Sequence, residues 1–245
     1  MNLTIDIGNS NIKISKFENN KFIELLILHN ELDIIKFLQS EVNNTFINSI
    51  IICSVSENIS ELLLSVARMV KNFIVFSHKT PVPIINVYSS PKTLGLDRLA
   101  AAVGAFTIFP NKNCLIVDAG TAITFDLLNN KGEYLGGAIS PGLTIRYKAL
   151  SHFTKKLPEL EFTENLEYPG KNTINSIHTG VQSGILYETE GYICNLEKYY
   201  SDLHVLVTGG DVNFLVRNLK KPIFAQPNLV AIGLQRIIQF NEKNP

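Results

Sequence analysis

Two short turns limit what this chain can fold into. Asp6-Ile7-Gly8-Asn9-Ser10 follows the apolar run Leu3-Thr4-Ile5 and leads into Ile12-Lys13-Ile14-Ser15. Asp118-Ala119-Gly120-Thr121-Ala122 follows Cys114-Leu115-Ile116-Val117 and leads into Ile123-Thr124-Phe125. A glycine just after a strand lets the backbone bend tightly and brings its N–H groups close to an anion with no Cβ in the way. One such turn is equally well an ordinary hairpin, since Asn, Ser and Gly all form turns. The same setting at the head of each half suggests a duplicated fold, with two glycine hairpins facing each other across a cleft and holding a nucleotide's phosphates.

The rest of the pattern is that of an α/β chain. Residues 1–28 read as three short antiparallel strands, 31–41 as a helix, 49–54 as a buried strand, 58–70 as a helix that Asn58 or Ser60 could cap, and 72–76 as a strand. A loop with Pro81, Pro83 and Pro91 precedes a helix over 96–109, and Pro110-Asn111-Lys112-Asn113 marks the boundary. Residues 114–139 then retrace 1–28. Helices follow after Pro141-Gly142 and over 174–200, then a strand at 205–207, a Thr208-Gly209-Gly210 turn, and helices near 213–218 and 229–240. The stretch 157–170, with Pro158 and Pro169, reads as an exposed, mobile loop. The expected halves are 1–110, with the first hairpin, and 111–245, with the second.

The polar residues of these segments fit phosphate chemistry. Around the first turn, Asn9, Ser10 and Asn11 extend the donor array, Lys13 on the returning strand can face the same phosphate, and Asp6 can hold Mg²⁺ through water. Gly209 and Gly210 would let a base or ribose approach the backbone, while capping alone accounts for Asp211. In Leu94-Gly95-Leu96-Asp97-Arg98 an acid and a guanidinium open an apolar helix. Asp97 is well explained as a helix-start acid favoured by the dipole; Arg98 is out of place there. Together they offer a carboxylate to receive a proton and a fork to grip a substrate carboxylate.

Composition excludes several classes. The chain has 22 Lys plus Arg against 22 Asp plus Glu in 245 residues, so no basic field invites a nucleic acid. No stretch approaches the roughly 18 uninterrupted apolar residues of a membrane span, and no signal-peptide pattern opens the chain. Cys53, Cys114 and Cys194 are odd in number and lack C-x-x-C spacing, which fits structural thiols in a reducing compartment. A cytoplasmic protein is expected. His29, His78, His152, His178 and His204 show no metal-ligand spacing, and no G-x-S-x-G elbow is present.

Taken in order, the motifs Asp6-x-Gly8-Asn9-Ser10-x-x-Lys13, Tyr88-x-x-Pro91-x-x-Leu94-Gly95-x-Asp97-Arg98, Asp118-x-Gly120-Thr121-Ala122-x-Thr124, Gly136-Gly137-x-Ile139-x-Pro141-Gly142, Asn172-Thr173 and Thr208-Gly209-Gly210 resemble the type III pantothenate kinases. These belong to the acetate and sugar kinase/Hsp70/actin superfamily. The resemblance implies duplicated actin-like (ribonuclease H-like) domains, each a mixed five-stranded sheet with flanking helices. It also implies ATP-dependent phosphorylation of pantothenate to 4′-phosphopantothenate, the first step of coenzyme A synthesis. Carried over motif by motif, Asp6, Ile7, Gly8, Asn9, Ser10, Asn11, Ile12 and Lys13 would bind ATP phosphates, with Thr121 a further ATP contact. Asp97 would be the general base. Tyr88, Gly95, Leu96, Asp97 and Arg98 would line the pantothenate pocket, and Thr173 would reach it from the second subunit of a homodimer that buries the long helix. Asp118 would hold a monovalent cation, K⁺ or NH₄⁺, with Mg²⁺ arriving with ATP. Ser10 stands where Thr is frequent, and Ser176 and Thr179 where Ala and Ser are. The alternative is a non-enzymatic regulator, a transcription accessory protein on the same scaffold, against which the set Asp6, Asp97, Arg98 and Asp118 argues.

Overall fold

The alternation of apolar residues at the start of the chain produces a hairpin whose inner face is closed to water. A computed structural model describes residues 1–8, 11–44, 46–54, 61–68 and 70–243; the expected caps Asn58 and Ser60 lie outside them. The chain divides into two units: Met1–Asn111 with Lys131–Leu135 and Asn228–Pro245, and Lys112–Asn130 with Gly136–Pro227.

In the first unit β1 (Asn2–Ile7), β2 (Ile12–Glu18) and β3 (Lys21–Leu28) are followed by α1 (Glu31–Asn44), β4 (Ser49–Ser54), α2 (Glu61–Ala67) and β5 (Asn72–Val75). The strand order is β3-β2-β1-β4-β5, with β1 antiparallel to β2 and parallel to β4. β4 is an inner strand between β1 and β5, and Ile50, Ile51, Ile52 and Cys53 are fully buried on both of its faces, which explains an unbroken apolar run where an outer strand would alternate. Leu3, Ile5, Ile14, Ile34 and Leu38 close the core on the α1 side. The proline-containing segment holds a two-residue strand, β6 (Ile85–Asn86), where the sequence suggested only a loop; it pairs with Glu133 and Tyr134 of the same unit.

The next helix, α3 (Leu96–Ile108), packs on the last helix of the chain. A Cβ on Gly233 would sit 1.8 Å from the Ala100 carbonyl oxygen, and one on Gly104 would sit 2.3 Å from that of Leu229. The two backbones therefore touch at Gly104 and Gly233, and Ala100, Ala101 and Ala102 keep the rest of the crossing thin. This contact brings residues 228–243 into the first unit.

The second unit repeats the plan. β7 (Asn113–Ala119), β8 (Ala122–Leu128) and β9 (Glu133–Pro141) lead to α4 (Leu143–Phe153), α5 (Thr173–Leu196), β10 (Leu203–Thr208), α6 (Val212–Asn218) and β11 (Phe224–Ala225); α7 (Leu229–Lys243) ends the chain. The second sheet has six strands rather than the expected five, in the order β11-β10-β7-β8-β9-β6, because the short β6 adds to the edge of β9. With β7 antiparallel to β8 and parallel to β10, the five strands from β11 to β9 repeat the order of the first sheet, and β6 is the addition. α5 begins at Asn172, whose Oδ1 accepts the Asn175 N–H at 2.9 Å, and ends at Leu196, four residues short of the span read from its periodicity. The loop 157–170 has no regular structure but is tied down: Leu157 and Leu160 pack on the core, Gln182 donates to the Thr163 carbonyl at 3.1 Å and Thr179 to that of Glu167 at 2.8 Å. Among the described residues no helix is long and apolar enough to cross a membrane.

Candidate active site

The end of β1 sets the first group. Asp6 lies opposite Lys13 on β2 and beside Cys53 on β4. Directly paired residues of antiparallel strands share a sheet face, so the acid and the cation read from the first turn stand together. Gly8 donates its N–H to the Asn11 carbonyl at 3.1 Å, closing the turn. Asn11 is exposed and Ile7 half-buried, while Ile12 is 7% exposed and belongs to the core. Ile12 thus anchors the turn through its side chain and leaves only its backbone for a ligand. Asn9 and Ser10 lie outside the described residues.

The start of α3 supplies the second group. Gly95 is the cap residue and has no side chain to close the helix; the Asp97 carboxylate does this instead, its Oδ1 accepting the Arg98 N–H at 2.8 Å. A Cβ on Gly95 would lie 2.5 Å from that oxygen, so the carboxylate takes this position because residue 95 is glycine. Arg98 is buried, at 7% exposure, and a guanidinium withdrawn from water makes stronger charge-assisted bonds. Leu96 is half-buried beside them. Tyr88 donates its N–H to Asn86 Oδ1 at 3.0 Å and rests its ring 6.1 Å from that of Tyr134. Asp6 and Asp97 act on a common neighbour: burial pushes the Cys53 thiol well above its ordinary pKa, and the charges of both acids push it further. The first unit therefore gathers Asp6, Lys13, Cys53 and Asp97. Composition presents Cys53 only as a small buried hydrophobe, because its relation to Asp6 depends on the pairing of strands 47 residues apart.

The second turn is held on two flanks. On one, Gly209 has φ +96°, and a Cβ there would lie 2.5 Å from Asp118 Oδ1 and 2.2 Å from the Ala119 carbonyl oxygen. The Asp211 N–H donates to that same carbonyl at 2.9 Å. Asp211 is the cap residue of α6 but makes no side-chain cap bond, and burial raises its pKa. A cavity of about 460 Å³ opens beside Gly210, with Asp211, Asn213 and Phe214 on one wall and Phe162 and Gln182 on another. On the other flank Gly142 donates its N–H to the Thr121 carbonyl at 3.1 Å. Thr121 itself is exposed, as is Thr173 at the first position of α5.

Residues 2–195 match the family model for type III pantothenate kinase. The chain belongs to the type III pantothenate kinases. The curated kinase of that name from Phocaeicola vulgatus is 41% identical over 244 residues, covering 99% of this chain and 100% of its own. Among solved structures, a conserved Baf-family protein from Campylobacter jejuni, described as a transcriptional activator, superposes with a TM-score of 0.63 at 26% identity, covering 98% of this chain and 99% of its own. A glucokinase from an Antarctic psychrotroph gives 0.51 at 11% identity, with 98% of each chain covered, a likeness of fold alone. The architecture is that of duplicated actin-like domains, as the paired turns suggest.

Proposed function

We propose that the protein transfers the γ-phosphate of ATP to the primary hydroxyl of pantothenate, giving 4′-phosphopantothenate and opening coenzyme A synthesis. The observation that carries this reading is the start of α3. Asp97 has one oxygen engaged by the Arg98 N–H, which leaves the other for a substrate proton, and a buried guanidinium adjoins it for the substrate carboxylate. Phosphoryl transfer passes through a loose transition state, so the protein contributes mainly position and charge. In our reading the backbone of residues 6–13 and Lys13 hold ATP phosphates, Thr121 makes a further ATP contact, and the glycine turn with its cavity receives the adenosine. Tyr88, Gly95, Leu96 and Arg98 orient pantothenate, and Asp97 takes the hydroxyl proton.

Asp6 is a single carboxylate at a strand end, which suits Mg²⁺, an ion that keeps several waters and phosphate oxygens as ligands. Asp118, whose carboxylate occupies the space a Cβ on Gly209 would fill, suits a monovalent cation with backbone carbonyls around it. Both ions would neutralise phosphate charge. We further read the protein as a homodimer in which Thr173 serves the other copy's site; exposed Ile174 and Tyr187 on α5 support this.

The test is Asp97→Asn in a coupled assay of ADP release with pantothenate. Loss of a general base costs about 10²–10⁴-fold in kcat, while ATP binding persists. Full activity in that variant would remove Asp97 from the mechanism. If the native protein turns over neither pantothenate nor related hydroxy acids, with or without K⁺, the regulatory reading suggested by the Campylobacter relative replaces this one.

A further inference from the structure

The corner between β9 and α4 has a clamp that the proposed reaction leaves unused. Arg146, one turn into α4, reaches back past its own helix start. Its Nε donates to the Pro141 carbonyl at 2.7 Å and its Nη2 to Ser140 Oγ at 2.9 Å. The same Nη2 pairs with Glu188 on α5. Three acceptors from a strand end and a second helix thus meet one planar fork, a geometry an ammonium group cannot reproduce.

The clamped corner in turn touches the second turn. Gly142 gives its N–H to the Thr121 carbonyl at 3.1 Å. A Cβ on Gly142 would lie 2.0 Å from the Gly120 carbonyl oxygen and 2.6 Å from that of Thr121, so the two backbones are in contact and neither shifts without the other. A continuous path runs from α5 through Glu188 and Arg146 to Pro141 and Gly142, and from there to the peptide of Thr121. We propose that Arg146 is a positioning residue for the Asp118–Thr121 turn, setting affinity for ATP and for the activating cation through the Gly142–Thr121 contact. The inference rests on reading that turn as an ATP and cation contact.

Steady-state kinetics of Arg146→Met and Arg146→Lys, with ATP, pantothenate and K⁺ varied separately, test it. Losing the clamp is expected to raise KM for ATP and the K⁺ concentration for half-activation by about tenfold in Arg146→Met, with a smaller effect in Arg146→Lys and KM for pantothenate nearly unchanged. A merely structural role would lower the melting temperature and the active fraction without separating the two substrates. That result overturns the proposal, as does a rise confined to KM for pantothenate. Thr121→Val and Asp118→Asn are measured alongside. If these two leave ATP and K⁺ dependence unaltered, the reading of the turn has failed; if they shift it and both Arg146 variants do not, the positioning role has failed. Should Arg146→Met not fold, Arg146→Lys and Glu188→Gln, which keeps the Pro141 and Ser140 bonds, decide between the same outcomes.

Discussion

Cys53 and Cys114 sit in inner strands, fully buried. Burial pushes the Cys114 thiol up to about 12 from 9.0, and Cys53 is driven well above the same value by burial and the two acids. Both groups release a proton far more readily when the chain unfolds. Their contribution to stability is intact below the unfolded pKa near 9.0 and is lost as pH climbs toward the folded values. Each thiol adds a slope approaching about 1.4 kcal/mol per pH unit in that window. Urea denaturation between about pH 8 and about pH 10.5 should show stability falling with pH, and Cys114→Ala should be measurably less steep than wild type. At neutral pH the exposed Cys194 is the thiol expected to react with a disulfide reagent; the other two should react only after unfolding. The residues legible in the sequence are those whose role is local. A glycine turn after a strand needs only its neighbours, so Asp6-x-Gly8 and Asp118-x-Gly120 stand out. Asp97 is ambiguous on sequence because a capping acid and a catalytic acid occupy the same position, and in the structure its Oδ1 does cap the helix.

The elements divide in the same way. The hairpins, the buried run of β4 and the Asn172 start of α5 follow from alternation, apolar composition and capping chemistry. The crossing of α3 and α7 does not. Gly104 and Gly233 read in isolation as weak points of two helices, and only their mutual approach shows why each helix carries one. Gly233→Ala would drive a methyl group into the Ala100 carbonyl and should destabilise the protein by about 1–3 kcal/mol, measured by chemical denaturation. A neutral result would mean that the two helices can slide apart at no cost. Arg146 escapes sequence reading for a related reason. Its partners Ser140 and Pro141 precede its own helix, and Glu188 lies on another, so no helical spacing points to them.

At the scale of the whole molecule, the strand orders β3-β2-β1-β4-β5 and, apart from the added edge strand β6, β9-β8-β7-β10-β11 make the duplication evident, and the paired turns are the part of it that the sequence displays. The proposed sharing of sites between two copies has a direct test. Asp97→Asn and Thr173→Asp should each be inactive alone. If one copy supplies Asp97 and the other Thr173, mixing and reassembling the two variants should restore about a quarter of wild-type activity, since half the dimers are mixed and one of their two sites is intact. No recovery in verified mixed dimers would place both residues in one chain's site. A mass twice the 27.3 kDa of one chain is the companion expectation.

The return of α7 to the first unit has a consequence for how the chain is made. Synthesis delivers β1 to α3 early, yet the surface of α3 at Gly104 waits for Leu229 and Gly233, which emerge only after all of the second unit's residues. Domains on a ribosome tend to fold as they appear. Here the half that is translated first is the half that is completed last. A chain that stops short of residue 229 would leave its earliest-made sheet and helices without their final cover, however well its middle had folded.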